Sequence, residues 1–123
     1  MHDLPQFALA SDDGTVVCER CLLAETPFAR LRGLLGRRGL PAGEGLLLRP
    51  AGSIHTAFMR FAIDVVFLDR SDRVVKVAPT MKPWRMTSCR KARAALELPA
   101  GEASRRGIQP GVSLTRIWPK PAV

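Results

Sequence analysis

Aromatic residues are scarce in this sequence. Tyrosine is absent, and tryptophan and phenylalanine together make up 6% of the 123 residues. Since aliphatic residues must then fill the interior, we expect a core of leucine, valine, isoleucine and alanine. A chain of this length buries roughly two-thirds of its unfolded surface, so a single domain is expected without stabilisation by metals or disulfides.

Long apolar runs are also missing. The longest stretch free of charged side chains runs from Pro50 to Met59, about half the length that a membrane-spanning helix requires. The N-terminal segment carries an acid, Asp3, where a secretory signal has bases, and it lacks an apolar region. We therefore expect no membrane insertion and a cytoplasmic protein.

Cysteine is limited to three residues, two of which, Cys18 and Cys21, form a CxxC pair of the kind found in redox and zinc sites. Residues 15–22 (TVVCERCL) are rich in β-branched and apolar side chains, which favours a strand. In a regular strand, residues i and i+3 point to opposite faces, so this pair is expected to form neither a disulfide nor a metal site. No metal and no cofactor are expected.

Acidic residues are outnumbered 11 to 19 by lysine and arginine, which gives a formal net charge of +8. Residues 73–96 contain seven bases and no acid. Such a field attracts polyanions, and a tryptophan within it can stack on a nucleic-acid base. The sequence therefore predicts an anion-binding surface made of Lys82, Trp84, Arg85, Arg90, Lys91 and Arg93.

The partner of this basic surface stays open between nucleic acid, an acidic protein and a lipid surface. An alternative is that the bases only keep the surface solvated, because the sequence contains no known nucleic-acid-binding motif.

Glycine and proline are frequent, with ten of each, which indicates short elements joined by tight turns. One domain is predicted at residues 15–118, with flexible tails at 1–14 and 119–123. Thr26 and Pro27 predict the start of the one clear helix. Its predicted apolar face comprises Phe28, Leu31, Leu34 and Leu35.

The fold class predicted from these patterns is α+β, mainly β. We expect a small barrel-like antiparallel sheet with one helix in the N-terminal half and short helical turns. A hairpin is predicted around residues 70–73, and residues 79–91 are predicted to be a long loop. Strands are predicted over residues 15–22, 45–49, 54–58, 63–69, 74–78, 94–98 and 111–118.

Five short sequence blocks occur in a fixed order along the chain: RGLLGR (32–37), GLLL (45–48), HTxFMRFxIDVVFLD (55–69), LELPAG (96–101) and GIxPG (107–111). Together they resemble the domain of unknown function 192 family. The resemblance implies a compact, β-rich, barrel-like domain found in bacteria and archaea, in cytoplasmic and exported forms. It implies no established activity.

Asp64 is the polar residue that most needs an explanation. Its neighbours in residues 61–68 are apolar, so we expect a buried strand, in which a carboxylate requires hydrogen-bond donors or a cation. Backbone N–H groups are one alternative. The other is an ion pair with Arg32, which falls at the edge of the predicted apolar helix face.

A candidate pocket follows from the polar residues around this strand, namely His55, Thr56, Arg60, Asp64 and Arg32. The favoured hypothesis is a small non-enzymatic binding or accessory domain with a basic, anion-attracting surface. A second hypothesis is an enzyme or small-ligand binder that uses the candidate pocket, which requires these side chains to converge. A third is nucleic-acid binding through residues 82–93.

Overall fold

The computed structural model describes residues 4–117. Within them the chain forms two short helices, α1 (Pro27–Arg32) and α2 (Glu102–Arg105), and nine strands. Neither helix of this segment has the length and apolar character needed to cross a bilayer. The strands are β1 (Gln6–Ser11), β2 (Val16–Ala24), β3 (Glu44–Leu48), β4 (Ser53–His55), β5 (Ile63–Leu68), β6 (Val74–Met81), β7 (Met86–Ser88), β8 (Ala94–Pro99) and β9 (Leu114–Ile117).

Seven strands form one sheet in the order β6-β5-β8-β3-β2-β1-β9, and β4 pairs with β7 in a separate two-stranded sheet. The predicted α+β, mainly β class is confirmed. The prediction of a wholly antiparallel sheet is wrong at one pair, since β2 and β3 run parallel. The chain leaves β2 through α1 and returns beside it, as a parallel connection requires.

The large sheet is curved but does not close into a barrel. Its outer strands approach each other at one end, where Arg73 bridges to Ser113. The N–H of Val74 donates to the carbonyl of Val112 over 2.8 Å at the same place. The curvature agrees with the expected barrel-like sheet, although the sheet stays open.

The predicted hairpin is confirmed, since β5 and β6 pair antiparallel around residues 69–73. Asp69 organises its turn by accepting hydrogen bonds from the N–H groups of Ser71 (2.8 Å) and Arg73 (3.0 Å). These two bonds, the one from Arg73 above all, lower the pKa of the Asp69 carboxyl.

Two strands lie where the sequence predicts none. Within the predicted N-terminal tail, β1 pairs with both β2 and β9 and buries Phe7 and Leu9. Within the predicted loop at residues 79–91, β6 continues to Met81 and β7 follows. The predicted C-terminal tail at 119–123 lies outside the described residues.

Helix α1 begins as predicted and ends at Arg32, before Leu34 and Leu35 of the predicted apolar face. The hydroxyl of Thr26 caps it by accepting the N–H of Ala29 over 3.1 Å. The helix stops before Gly33, which adopts a left-handed φ of 48°. The predicted apolar face is wrong for Phe28 and Leu31, which are each 73% exposed, while Ala29 is buried.

The central strands β5 and β8 are buried on both faces, since residues 63–68 are all buried. Side chains of a strand alternate between its faces, so the pair contributes to two cores. The α2-side core includes Val66, Leu96, Leu98 and Ala103. The α1-side core includes Ala29, Leu46, Val65, Phe67 and Ala95.

Asp64 is fully buried on the α2 side of β5 and accepts three backbone hydrogen bonds. One carboxylate oxygen receives the N–H of Thr80 over 2.8 Å. The other receives the N–H groups of Gly101 (3.0 Å) and Ala103 (2.9 Å), at the start of α2. Gly101 has no side chain to cap this helix, so Asp64 supplies the missing acceptor and ties α2 to the sheet.

Asp64→Asn should lower the free energy of unfolding by about 2–4 kcal/mol, because the amide nitrogen cannot accept and leaves buried N–H groups without a partner. The measurement is urea unfolding near neutral pH. Asp12→Asn, an exposed substitution in the β1–β2 turn, is the control and should change stability by less than about 0.5 kcal/mol. Equal stability of the two variants would contradict the capping role.

Candidate binding cavity

A cavity of about 280 Å³ opens between α1, β4 and the large sheet. This volume lies near the lower end of the range for small-molecule sites, which begins at about 300 Å³. Its walls combine polar and charged side chains with apolar side chains of the α1-side core. They include Leu34, which follows α1, together with Leu48, Ile54 and Met59.

Glu97 is the ionisable residue inside this cavity. It lies on β8, where its cross-strand neighbours are Leu46 on β3 and Val65 on β5. The residue is 4% exposed, and its Oε1 atom has no hydrogen-bond partner among residues 4–117. A carboxyl group is thus placed against apolar side chains, without the donors that an anion at this depth requires.

Burial raises the pKa of the Glu97 carboxyl from 4.5 to about 8. Desolvation is the cause, since removal from water penalises the charged form. At neutral pH the group is therefore mostly protonated, and the inner part of the cavity carries no negative charge. A neutral carboxyl can donate a hydrogen bond as well as accept one.

The cavity mouth is basic. Arg30, Arg32 and His55 line it, and the last two are exposed. Arg30 donates through Nη1 to the carbonyl of Pro50 at 3.5 Å, whereas no ion pair within residues 4–117 involves any of these three side chains. The two guanidinium charges are therefore free to interact with a ligand that enters the cavity.

The five residues of the candidate pocket predicted from the sequence do not all lie at one site. Arg32 and His55 line the cavity, but Thr56, Arg60 and Asp64 do not. Thr56 is buried and bonds to the β6–β7 turn, Arg60 is exposed in the β4–β5 connection, and Asp64 lies beneath α2.

The proposed ion pair between Arg32 and Asp64 is not formed. Arg32 belongs to α1 on one side of the sheet, while Asp64 points into the α2-side core on the other. The alternative explanation of Asp64, a carboxylate held by backbone N–H groups, describes what the structure contains.

Glu97 is the functional candidate that the sequence analysis missed. A signal was available, since Glu97 stands within the apolar run Ala94–Pro99 (AALELP) just as Asp64 stands within IDVVFL. The same rule on buried carboxylates applies to both. The sequence alone does not indicate which of the two receives backbone donors, because those donors come from segments distant along the chain.

The predicted anion-binding residues fall on two adjacent segments. Lys82, Trp84 and Arg85 are exposed in the β6–β7 turn, and Arg90, Lys91 and Arg93 are exposed between β7 and β8. Within residues 4–117, no base from 73 to 93 forms an ion pair.

Cys18 and Cys21 do not point to opposite faces, so the geometry predicted for the CxxC pair is wrong. Cys18 lies opposite Leu9 and Cys21 opposite Phe7, so three residues of β2 span two of β1 across a bulge. Both cysteines therefore enter the α2-side core. Burial raises the pKa of the Cys21 thiol well above its usual value, which disfavours the thiolate that attacks disulfides and binds metals.

The chain matches the model of a family described as an uncharacterised ACR, DUF192, over residues 8–116. It belongs to the DUF192 family. The resemblance seen in the five sequence blocks is thereby confirmed. Membership in this uncharacterised family indicates the fold and does not indicate an activity.

The DUF192 chain is similar to two archaeal UPF0127 proteins. It is 50% identical over 50 residues to one from Pyrococcus horikoshii, covering 40% of this chain and 43% of that protein. It is 38% identical over 76 residues to one from Thermococcus sibiricus, covering 58% and 49%. The matched segments thus span about half of each curated relative or less.

Two crystal structures share the fold. A protein of unknown function from Novosphingobium aromaticivorans has a TM-score of 0.78 at 24% identity, with 91% of this chain and 84% of that chain covered. A proposed transcription regulator from Sinorhizobium meliloti has a TM-score of 0.81 at 21% identity, with 92% and 95% covered. At these identities the likeness concerns the fold alone.

Glu97→Gln should stabilise the protein at neutral and alkaline pH. Below pH 4.5 the Glu97 carboxyl is protonated in both folded and unfolded states. As pH rises from there to about 8, unfolding releases a proton, so the wild type loses about 1.4 kcal/mol of stability per pH unit at this site. Glutamine does not ionise and escapes that loss.

Urea unfolding between about pH 4 and about pH 9 measures the effect. The stability difference between Glu97→Gln and wild type should increase by roughly 3–5 kcal/mol across that range. Glu25→Gln, at an exposed position, should show no comparable trend. A difference that does not vary with pH would mean that Glu97 is not a buried neutral acid.

Proposed function

We propose that this protein is a non-enzymatic binding domain whose cavity takes a small organic anion with a compact apolar body. The observation that carries the proposal is Glu97, a buried carboxyl whose Oε1 has no partner in the described part of the chain, inside a cavity that has a basic mouth. A buried polar group without a partner is costly unless a ligand or water satisfies it.

The charge distribution supports an anionic ligand. Arg30 and Arg32 at the mouth attract an anion, and the protonated Glu97 does not repel it. Arginine also offers a planar pair of donors that matches a carboxylate. The apolar walls require that the rest of the ligand be small and oily.

Binding is better supported than catalysis. A buried acid with a raised pKa is typical of catalytic sites, but covalent catalysis also requires a nucleophile hydrogen-bonded to a base. Ser53 and His55 line the cavity mouth beside Glu97, yet no hydrogen bond joins any two of these three residues in the described chain. The favoured function is therefore capture of a ligand.

Three probes of nearly equal size and different charge test the proposal, namely benzoate, benzyl alcohol and benzylamine. Benzoate should bind tightest and benzylamine weakest, because the mouth is basic. The measurement is the change in the methyl NMR signals of Leu34, Ile54 and Met59. As pH rises through about 8 and Glu97 ionises, benzoate affinity should fall about tenfold or more.

Matched variants test the contributions of Glu97 and Arg32 to benzoate binding separately. Glu97→Gln should bind benzoate and lose the fall at high pH, and Arg32→Ala should weaken benzoate about fivefold or more. Arg38→Ala removes a base that lies outside the cavity but within residues 26–43, which also contain Arg32 and include no acid, and it should have little effect. Tightest binding of benzylamine, or no change at these methyls with any probe, would overturn the proposal.

A further inference from the structure

Two connections of the fold bring a pair of aromatic side chains together in solvent. Phe58, in the β4–β5 connection, meets Trp84, in the β6–β7 turn, with ring centroids 4.6 Å apart and planes at 60°. These side chains are 73% and 61% exposed, and Met86, two residues after Trp84 at the start of β7, is 72% exposed. We call Phe58, Trp84 and Met86 the aromatic knob.

Thr56 joins the two segments that carry Phe58 and Trp84 through several hydrogen bonds. Its hydroxyl donates to the carbonyl of Lys82 over 2.6 Å and accepts the N–H of Arg85 over 2.8 Å. Its backbone N–H donates to the carbonyl of Arg85 over 2.8 Å, and its carbonyl accepts the N–H of Trp84 over 3.1 Å. One fully buried residue thus locks the two connections together.

Both aromatic residues adopt an unfavourable backbone conformation. Phe58 and Trp84 each have a φ of 65°, in the left-handed region that bulky side chains rarely occupy. Such strain persists only where the surrounding structure enforces it, and it concentrates at sites that bind. Here it directs two large apolar side chains outward rather than into a core.

The surroundings of the knob are basic. Arg60, Lys82 and Arg85 are exposed next to it, and residues 50–63 and 73–96 contain no acid. Within residues 4–117, none of these three bases forms an ion pair. The knob thus combines exposed apolar side chains with flanking cations. This arrangement is complementary to a partner that has an apolar interior and a negatively charged surface.

We propose that the aromatic knob docks on the surface of a membrane that contains anionic phospholipid. Tryptophan and phenylalanine suit the boundary between headgroups and acyl chains. Flanking bases gain from the negative potential of anionic headgroups. This docking makes no use of the Glu97 cavity, so the two proposals stand or fall separately.

The geometry of the knob favours a membrane over single-stranded nucleic acid. Proteins that bind single strands present open ring faces on which bases stack. Here the two rings pack against each other, edge to face, so each covers part of the other. Met86 adds a flexible apolar chain without a ring face. The knob therefore presents a bulky apolar surface rather than a stacking platform.

Co-sedimentation with lipid vesicles tests this proposal on the full chain. Binding to phosphatidylcholine vesicles with about a third phosphatidylglycerol should exceed binding to pure phosphatidylcholine about tenfold or more. Trp84→Asn and Phe58→Asn should each weaken binding to the anionic vesicles about tenfold or more. Asparagine adopts positive φ readily, so both variants should unfold at the wild-type temperature or above, which separates lost docking from misfolding.

Charge variants and competing polyanions complete the test. Arg85→Ala should weaken vesicle binding about fivefold, the share of one base near a charged surface. Arg70→Ala, at the opposite end of β6 in the hairpin turn, and Glu97→Gln should not change it. Equal binding to both vesicle types would overturn the proposal. So would Trp84-dependent binding to oligo-dT or polyglutamate that is tighter than binding to anionic vesicles.

Discussion

A carboxyl group on a strand buried on both faces must either receive hydrogen-bond donors or stay neutral. The paired strands β5 and β8 meet this constraint in both ways. Asp64 faces the α2-side core and accepts three backbone N–H groups, so it ties α2 to the sheet and links β5 to the end of β6. Glu97 faces the α1-side core and keeps its proton, and its Oε1 accepts no hydrogen bond from residues 4–117. The Asp64 carboxylate stabilises the fold, whereas the Glu97 carboxyl is available to hydrogen-bond a ligand.

The sequence patterns predicted those structural elements that depend on residues adjacent in sequence. The apolar run of β5, the hairpin after it and the hydroxyl cap of Thr26 depend on neighbours in sequence, and the structure contains all three. The parallel pairing of β2 with β3 and the place of β1 depend on distant contacts. The bulge that turns Cys18 and Cys21 to the same face is likewise set by the partner strand. A rule for regular strands could not anticipate it.

The candidate site was predictable only in part. Arg32 and His55 do lie at the cavity mouth, but they were grouped with Asp64, which belongs to the opposite face of the sheet. Glu97 obeys the same physical rule as Asp64, but its neighbours along β8 have the pattern of an ordinary core strand, which does not single it out. Which of two buried acids finds donors is decided by tertiary packing. Sequence reasoning can flag both and cannot rank them.

Direct titration of Glu97 tests this account most sharply. The side-chain carboxyl carbon can be followed by ¹³C NMR as pH is raised, with Glu97→Gln used to assign its signal. We expect a midpoint near 8, well above the ordinary value of 4.5, because burial penalises the charged carboxylate. A midpoint close to 4.5 would mean that solvent or an unrecognised donor reaches the carboxyl. The neutral interior of the cavity, and with it the proposed preference for anions, would then be wrong.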